Sequence, residues 1–295
     1  MKNISNIDPK KEKILILGAS GMLGNTIFRY FSEDKSFDVI GTIRNREALK
    51  FFPEKLKSAI YTDVNIENYK LLESFFLDVR PDIVINCIGL IKQRAESYDP
   101  IRSISINSLL PHKLERLCNT FSSRLIHFST DCIFSGNKGL YKESDLPDAM
   151  DIYGRSKLLG EVLTESSITL RTSIIGHEVG RSDSLIEWFL RQQGSVNGFR
   201  KAKFSGLPTI EIARLIKNHV LTNPGLYGVY NVSSDPIDKF NLLQMVAKVY
   251  EKDIKIIPSD DLVIDRSLDS SLFRGLTGFR SKPWLDLVKA MHEFK

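Results

Sequence analysis

A tyrosine and a lysine four residues apart, Tyr153 and Lys157, follow the segment Ser129-Thr130-Asp131 in the chain. On a helix, residues four apart project from the same face, so the lysine ammonium can lie near the tyrosine phenol. A nearby positive charge lowers the pKa of a phenol and makes it a usable acid near neutral pH. These residues predict a proton-donating site. An ordinary exposed helix pair is the alternative interpretation.

Three glycines have the spacing of a phosphate-binding turn. They follow an apolar run that predicts a strand, and they open a segment that predicts a helix. In such a turn the first glycine permits a sharp bend, the second lets the backbone approach a pyrophosphate, and the third lets helix and strand pack closely. We predict a dinucleotide site; a tight turn without a ligand is the alternative. The predicted contacts are Gly18, Ser20, Gly21, Met22, Leu23 and Gly24.

The residues after the second predicted strand indicate which nicotinamide cofactor binds. A carboxylate there would hold the ribose 2′-hydroxyl of NAD, whereas an arginine accepts the 2′-phosphate of NADP. The chain has Arg44 and Arg46 at this point and no acidic residue. We therefore predict NADP(H) in preference to NAD(H), with Arg44 as the contact; solvated loop arginines are the alternative. Further residues predicted beside the cofactor follow the third and fourth strands: Asp63, Val64, Cys87, Ile88 and Gly89.

Short apolar runs alternate with longer amphipathic segments from Lys13 onward. This alternation is typical of βαβ units in a parallel sheet buried on both faces. It predicts an α/β fold, a Rossmann-type doubly wound parallel sheet with a smaller C-terminal substrate-binding lobe. The predicted sheet domain spans residues 12–173, with 206–234 returning to it, and the predicted lobe spans 174–205 and 235–295. Within these, we expect a helix over 153–164 and a glycine-rich loop before residue 204.

Composition and charge narrow the class of protein. The 295 residues are 42% hydrophobic and 26% charged, which are globular values. The net charge of +5 comes from scattered basic residues, so no nucleic-acid partner is predicted. Three cysteines suggest neither disulfides nor a metal site. No apolar run approaches the ~20 residues of a membrane span, so we expect a cytoplasmic protein without a membrane partner. Among oligomeric states we expect a homodimer, because dimers are the commonest oligomers.

Taken with Asn107, these motifs resemble the extended short-chain dehydrogenase/reductases, and within them the dTDP-4-dehydrorhamnose reductase family. The resemblance runs from about Lys13 to the final predicted helix. It implies a nucleotide-sugar substrate whose 4-keto group is reduced, in the supply of a cell-surface polysaccharide. The segments that carry it are Ser129-Thr-Asp-Cys-Ile-Phe-Ser-Gly136, Tyr153-Gly-Arg-Ser-Lys-Leu-Leu-Gly-Glu161, Arg171-Thr-Ser173 and Gly206-Leu-Pro-Thr209.

The resemblance also implies residue roles. Tyr153 would donate a proton to the C4 carbonyl oxygen as hydride arrives from the nicotinamide. Lys157 would lower the tyrosine pKa and bind the nicotinamide ribose, and Thr130 would hydrogen-bond the same carbonyl. Ser129 and Asn107 are expected beside the cofactor, with Asn107 either supporting a proton relay or packing against a loop.

The substrate side departs from the family pattern. Asp131 is expected to orient the loop or touch the sugar. Cys132 stands where sugar-nucleotide 4,6-dehydratases carry glutamate, which disfavours dehydration. Lys92, in a segment unlike the family's, is predicted to contact the substrate, with solvent as the alternative. The segment Asp265-Arg266-Ser-Leu-Asp269 resembles the Arg-Pro-x-x-Ser segment by which such reductases close over the nucleotide. Arg266 is therefore the predicted diphosphate contact, a role that suits a guanidinium because it can donate two parallel hydrogen bonds.

Two other functions fit the same motifs. A nucleotide-sugar epimerase uses the same tyrosine but retains its cofactor. A non-catalytic regulatory subunit, like that of methionine adenosyltransferase, shares the fold, but retention of Tyr153, Lys157 and Thr130 favours a reductase.

Overall fold

Residues 11–91, 98–180 and 183–295 are described by a computed structural model. The strands are β1 (Glu12–Leu17), β2 (Phe37–Ile43), β3 (Ile60–Thr62), β4 (Ile83–Asn86), β5 (Arg124–Ser129), β6 (Ser167–Arg171), β7 (Ile174–Ile175), β8 (Ser195–Phe199), β9 (Ala202–Phe204), β10 (Leu207–Pro208), β11 (Gly228–Asn231), β12 (Ile237–Asp238), β13 (Lys255–Ser259) and β14 (Ile264–Asp265). The α-helices are α1 (Met22–Ser32), α2 (Glu54–Lys57), α3 (Tyr69–Val79), α4 (Pro100–Ser103), α5 (Leu110–Phe121), α6 (Ile152–Leu159), α7 (Leu185–Arg191), α8 (Thr209–Leu215), α9 (Lys239–Val249), α10 (Ser271–Thr277) and α11 (Trp284–Glu293). π-Helical turns cover Ile104–Leu109 and Ile216–Val220, and 3-10 helices cover Arg46–Phe51 and Asp131–Ile133.

Seven parallel strands form the central sheet in the order β11-β6-β5-β4-β1-β2-β3. Every residue of β4 is buried, because helices cover both faces of the sheet. Alternate residues of β1 enter two separate apolar cores: Ile14 and Ile16 belong to one, and Leu15 and Leu17 to the other. The predicted Rossmann-type doubly wound fold is confirmed.

The strand order reverses at β1, which pairs with β2 on one side and β4 on the other. Open α/β sheets bind ligands at the carboxyl ends of the strands beside such a reversal. Gly18 follows β1 and Cys87 follows β4, and the Cys87 amide donates to the Leu17 carbonyl at 3.0 Å. The two predicted cofactor segments therefore meet at the reversal point.

The C-terminal part forms smaller sheets. β9 lies between β12 and β14, while β8 pairs with β13. The prediction of a glycine-rich loop before residue 204 is therefore wrong where the chain forms β8 and β9. The strands that pair with β8 and β9 lie far along the chain. β11 joins the central sheet beside β6. The division into two domains stays a prediction.

The helix that carries Tyr153 is shorter than expected. We predict it to continue to Thr164, but α6 ends at Leu159. A Cβ at Gly160 would overlap the carbonyl oxygen of Asn107, so this glycine allows the chain to touch the neighbouring helix where α6 ends. The chain then turns toward β6.

Candidate active site

The turn after β1 is made of backbone packed too closely for side chains. Gly18 has a φ of +82°, and a Cβ there would lie 2.9 Å from Cγ1 of Ile88. At Gly24 a Cβ would overlap the carbonyl oxygen of Gly18. Helix α1 therefore begins directly against the turn, as a dinucleotide site requires.

The first turn of α1 offers hydrogen-bond donors to an anion. Gly21 is the N-cap and has no side chain to occupy the first amides, and the described turn carries no acidic residue. The amides of Met22, Leu23 and Gly24 lie where a helix has no acceptors of its own. Ser20 is half-buried just before them. Open amides and a positive helix end fit the diphosphate of a nicotinamide dinucleotide.

The other predicted cofactor residues lie along the same edge of the sheet. Arg44 follows β2 and is exposed. Asp63 follows β3 with a φ of +61°, and Val64 beside it is half-buried. The Ile88 amide donates to Oδ1 of Asn86 at 3.1 Å, which holds the loop after β4. The structure brings these residues together; their contacts with a cofactor stay predictions.

Tyr153 and Lys157 share α6, whose first turn is capped by Asp151. Nζ of Lys157 donates to the carbonyl oxygen of Phe128, at the end of β5, over 2.6 Å. A Cβ at Gly89 would lie 3.9 Å from the same Nζ. The ammonium is therefore held between the ends of β4 and β5. Burial lowers the pKa of Lys157 to about 8, so it is charged at neutral pH.

Thr130 lies beside the Tyr153 phenol. Burial raises the pKa of Tyr153, with a smaller contribution from Cys132, while a hydrogen bond with Thr130 acts in the opposite direction. The phenol is therefore protonated at neutral pH, as a proton donor must be. The lowering of this pKa by Lys157, expected from sequence, stays a prediction. The Thr130 hydroxyl also donates to the Asp131 carboxylate at 3.1 Å.

Asn107 is buried in the π-helical turn and joins two parts of the site. Its Oδ1 accepts from the Leu90 amide at 2.9 Å, and its Nδ2 donates to Oγ of Ser156 at 3.2 Å. These contacts tie the loop after β4 to α6. They support the packing role of Asn107 more than the relay, and its cofactor contact stays a prediction.

A buried ion pair supports the segment Ser129-Thr130-Asp131 and the Cys132 that follows it, which together form the reacting loop. Nε and Nη2 of Arg171 donate to the two carboxylate oxygens of Glu161 at 2.8 and 2.7 Å. The Ser129 hydroxyl donates to the same carboxylate at 2.7 Å. The Arg171 and Glu161 side chains are 8% and 7% exposed. The sequence motifs contain both residues, but nothing in them signals that they pair.

Charged groups gather on the substrate side of the reacting loop. Nε of Arg266 donates to the Phe134 carbonyl oxygen at 2.9 Å, and Nη1 lies 3.8 Å from Sγ of Cys132. Burial raises the pKa of the Asp131 carboxyl, and Arg266 lowers it. Burial also raises the pKa of the Cys132 thiol to about 12, so the thiol is neutral at neutral pH.

Sequence reasoning missed one residue of this group, Lys239. It interacts electrostatically with Asp131, Cys132 and Arg266. The signal for it was a lysine directly after the N-cap of a helix, where cations are disfavoured. Lys92 lies outside the described residues.

A doubly wound sheet with a glycine turn at its reversal point, and a Tyr-x-x-x-Lys helix beside a Ser-Thr-Asp loop, define the class of extended short-chain dehydrogenase/reductases. Residues 12–195 match the family model described as RmlD substrate binding domain. This match covers more than half of the chain, which therefore belongs to the RmlD family. The predicted family and the predicted oxidoreductase class are confirmed.

Two kinds of relative are similar to this chain in sequence. The dTDP-4-dehydrorhamnose reductase of Aggregatibacter actinomycetemcomitans is 24% identical over 235 residues, covering 76% of this chain and 74% of that protein. The methionine adenosyltransferase 2 subunit beta of Danio rerio is 26% identical over 265 residues, covering 85% of this chain and 76% of that protein. The matched region spans about half the length of several other curated relatives.

A solved structure shows the same fold. The dTDP-4-dehydrorhamnose reductase from Bacillus anthracis str. Ames, in complex with NADP, has a TM-score of 0.80 to this chain. The two are 19% identical, with 97% of this chain and 99% of that one covered. At this identity the likeness supports the fold alone.

The described ranges contain neither a membrane-spanning helix nor a cluster of metal-binding side chains. None of the helices within them is both long enough and apolar enough to cross a bilayer. The same residues contain no group of three or more histidine, cysteine, aspartate or glutamate side chains that could hold a metal ion.

Proposed function

We propose that the protein reduces the 4-keto group of a nucleoside-diphosphate-linked 6-deoxyhexose, with NADPH preferred to NADH, in the supply of a cell-surface polysaccharide. The observation that carries the proposal is the meeting of three features at one sheet edge. These are the glycine turn, the Lys157 ammonium beside Gly89, and the Tyr153 phenol beside Thr130. The relatives named as reductases support the substrate class.

The chain's own side chains supply a proton and stabilise developing charge. A bound nicotinamide cofactor supplies the hydride. Tyr153 is protonated at neutral pH and donates its phenolic proton to the carbonyl oxygen. The Thr130 hydroxyl, which donates to Asp131 in the free protein, turns to donate its one proton in a hydrogen bond to the same oxygen as negative charge develops there. Lys157, charged below about pH 8, then stabilises the tyrosine phenolate.

The first turn of α1 and Arg44 support the cofactor assignment. The amides of Met22, Leu23 and Gly24 would hold the diphosphate of the dinucleotide. Arg44 lies exposed after β2, where a guanidinium can receive a 2′-phosphate. The Bacillus anthracis reductase structure is a complex with NADP, which agrees with this preference.

The decisive experiment measures loss of absorbance at 340 nm with NADPH and a dTDP- or UDP-linked 4-keto-6-deoxyhexose. Wild-type protein should consume NADPH, and Tyr153→Phe should lower kcat by about 10² to 10⁴, the usual contribution of a general acid. Tyr227→Phe is the matched control, because Tyr227 is 48% exposed. Parallel assays with NADH test the cofactor preference.

Two results would contradict the proposal. One is unchanged turnover in Tyr153→Phe. The other is conversion of the sugar without consumption of NADPH, which would instead indicate an epimerase that retains its cofactor.

A non-catalytic regulatory subunit is the second candidate, favoured by the match to methionine adenosyltransferase 2 subunit beta over 85% of this chain. Such a subunit needs no proton donor, whereas this chain retains Tyr153, Lys157 and Thr130. Size-exclusion chromatography with a methionine adenosyltransferase catalytic subunit tests it. A stoichiometric complex, together with no turnover of any ketosugar, would favour the regulatory function.

A further inference from the structure

Lys239 is a partly buried cation that the proton-transfer chemistry leaves without a role. It is the first residue of α9, directly after the N-cap Asp238. A positive charge in the first turn opposes the helix dipole, and burial lowers the pKa of Lys239 further. Within the described ranges, no acidic side chain forms an ion pair with it. A placement with a cost in stability and no compensating ion pair is typical of a functional residue.

The sheet β12-β9-β14 determines where Lys239 lies relative to Arg266. Asp238 aligns with Lys203 from one side of β9, and Asp265 aligns with Lys203 from the other. Nζ of Lys203 is 3.3 Å from the Asp265 carboxylate, so these aligned residues share one face of the sheet. Lys239, the first residue of α9, and Arg266, just after β14, each follow one of these aligned residues. The backbones of Lys239 and Arg266 therefore lie on either side of β9.

Arg266 and Lys239 both lie near the reacting loop. Arg266 contacts the Phe134 carbonyl oxygen and the Cys132 thiol. Asp131 and Cys132 raise the pKa of Lys239, and Arg266 lowers it, so the four groups lie within electrostatic range of one another. Two cations thus face one buried carboxylate, that of Asp131.

Another carboxylate near Arg266 does not balance this charge. Asp148 interacts with Arg266 electrostatically, but it is exposed. Its two oxygens accept from the amide and the hydroxyl of Ser135, both at 2.6 Å. Among the residues that the structure describes, the cluster therefore carries excess positive charge beside the reacting loop.

We infer that Lys239 and Arg266 together form a two-cation site for the diphosphate of the nucleotide sugar. The inference rests on the proposed function and deepens it by adding a second cation. A diphosphate carries enough negative charge to balance both cations, whereas a neutral sugar would leave them uncompensated. The guanidinium offers a planar pair of donors and the ammonium a compact charge, which suits adjacent phosphate groups.

The test is calorimetric binding of dTDP, and separately of UDP, to NADPH-saturated protein at several salt concentrations. Lys239→Gln should weaken binding at least about tenfold, the usual loss of one charge-assisted hydrogen bond. It should also make the affinity less dependent on salt. Lys203→Gln is the matched control, since it removes a lysine from β9, the strand between the two cations, whose ammonium pairs with Asp265 instead. This control should bind within about twofold of wild type.

Thermal unfolding separates binding from folding. Lys239→Gln should melt at or above the wild-type temperature, because it removes a cation from the first turn of α9. Lys239→Met, which keeps most of the side-chain stem, replaces it if the glutamine variant is unstable.

Three outcomes would count against these ideas in different ways. Equal dTDP affinity in wild type and Lys239→Gln would overturn the two-cation site and leave the reductase proposal standing. An equal loss in Lys203→Gln would also overturn it, because the effect would then reflect general charge. Failure of wild-type protein to bind either dTDP or UDP would overturn the proposed function itself.

Discussion

The two halves of the candidate site differ in whether backbone or side chains form them. The cofactor half is backbone: Gly18 and Gly24 belong to one short turn, and side chains at either position would collide with their surroundings. The reacting half is made of buried and half-buried polar side chains from distant segments, among them Thr130, Tyr153 and Arg266. We therefore expect substitutions in the cofactor half to destabilise the protein through steric overlap. Substitutions in the reacting half should destabilise it by leaving a charge unpaired.

The largest effect should come from breaking the ion pair under the reacting half. Glu161→Gln leaves the buried Arg171 guanidinium without its counter-charge and weakens the support of the Ser129 hydroxyl. Removing one partner of a buried pair costs about 3–5 kcal/mol of unfolding free energy. Urea unfolding measures this loss, and the ketosugar assay should show a parallel fall in kcat.

The chain contains an exposed pair of nearly the same geometry as a control. Nε and Nη2 of Arg200 donate to the two oxygens of Asp260 at 2.9 and 2.8 Å. These side chains are 55% and 39% exposed, so Asp260→Asn should cost no more than about 1 kcal/mol. Similar losses for the two variants would show that burial is not what makes the Glu161 pair important.

The same contrast explains what the sequence could predict. The glycine turn is local, so its residues and its position after β1 followed from one short stretch. Tyr153 and Lys157 were also predictable, because their spacing lies within one helix. The sheet itself followed from the alternation of apolar and amphipathic segments.

Features that depend on distant partners were not predictable. α6 ends at Leu159 because Gly160 touches the Asn107 carbonyl, a contact with another helix. β8 and β9 are short, and they are strands only because β12, β13 and β14 pair with them. Lys239 looks like an ordinary helix residue until the register of β12 and β14 places it across β9 from Arg266.

A pair of glycine variants tests the backbone half, with a smaller expected effect. Gly24→Ala should cost about 1–3 kcal/mol of unfolding free energy, since its Cβ would overlap the Gly18 carbonyl oxygen and the helix must shift. At Gly21 the nearest atom to an added Cβ is 3.4 Å away and φ is −81°. Gly21→Ala should therefore change stability by less than about 0.5 kcal/mol.

Cofactor binding should rank the two variants differently. Gly21→Ala places a methyl group where the backbone would approach the pyrophosphate, so it should raise the Kd for NADPH while the protein stays folded. Urea unfolding and NADPH titration by fluorescence measure the two quantities. Equal stability of the two variants would contradict the steric account of the turn.

The smallest expected effect is a pH dependence that belongs to the reacting half. His127 is buried beneath this half, and its Nδ1 lies 3.1 Å from Nδ2 of Asn86. Its Nε2 has no hydrogen-bond partner among the described residues. Burial, and then the charges of Lys157 and His112, hold the pKa of His127 well below its usual 6.5.

The sign of the effect follows from this lowered pKa. Above pH 6.5 neither the folded nor the unfolded chain protonates His127, so the full stability is present. As the pH falls below 6.5 only the unfolded chain takes up the proton, and stability is lost. One such histidine accounts for about 1.4 kcal/mol between pH 7.5 and pH 5.5. Urea unfolding across this range should give a shallower dependence for His127→Gln than for wild type by that amount. An unchanged dependence would mean that His127 is charged in the folded protein, beside Lys157, and that the reacting half tolerates unpaired charge after all.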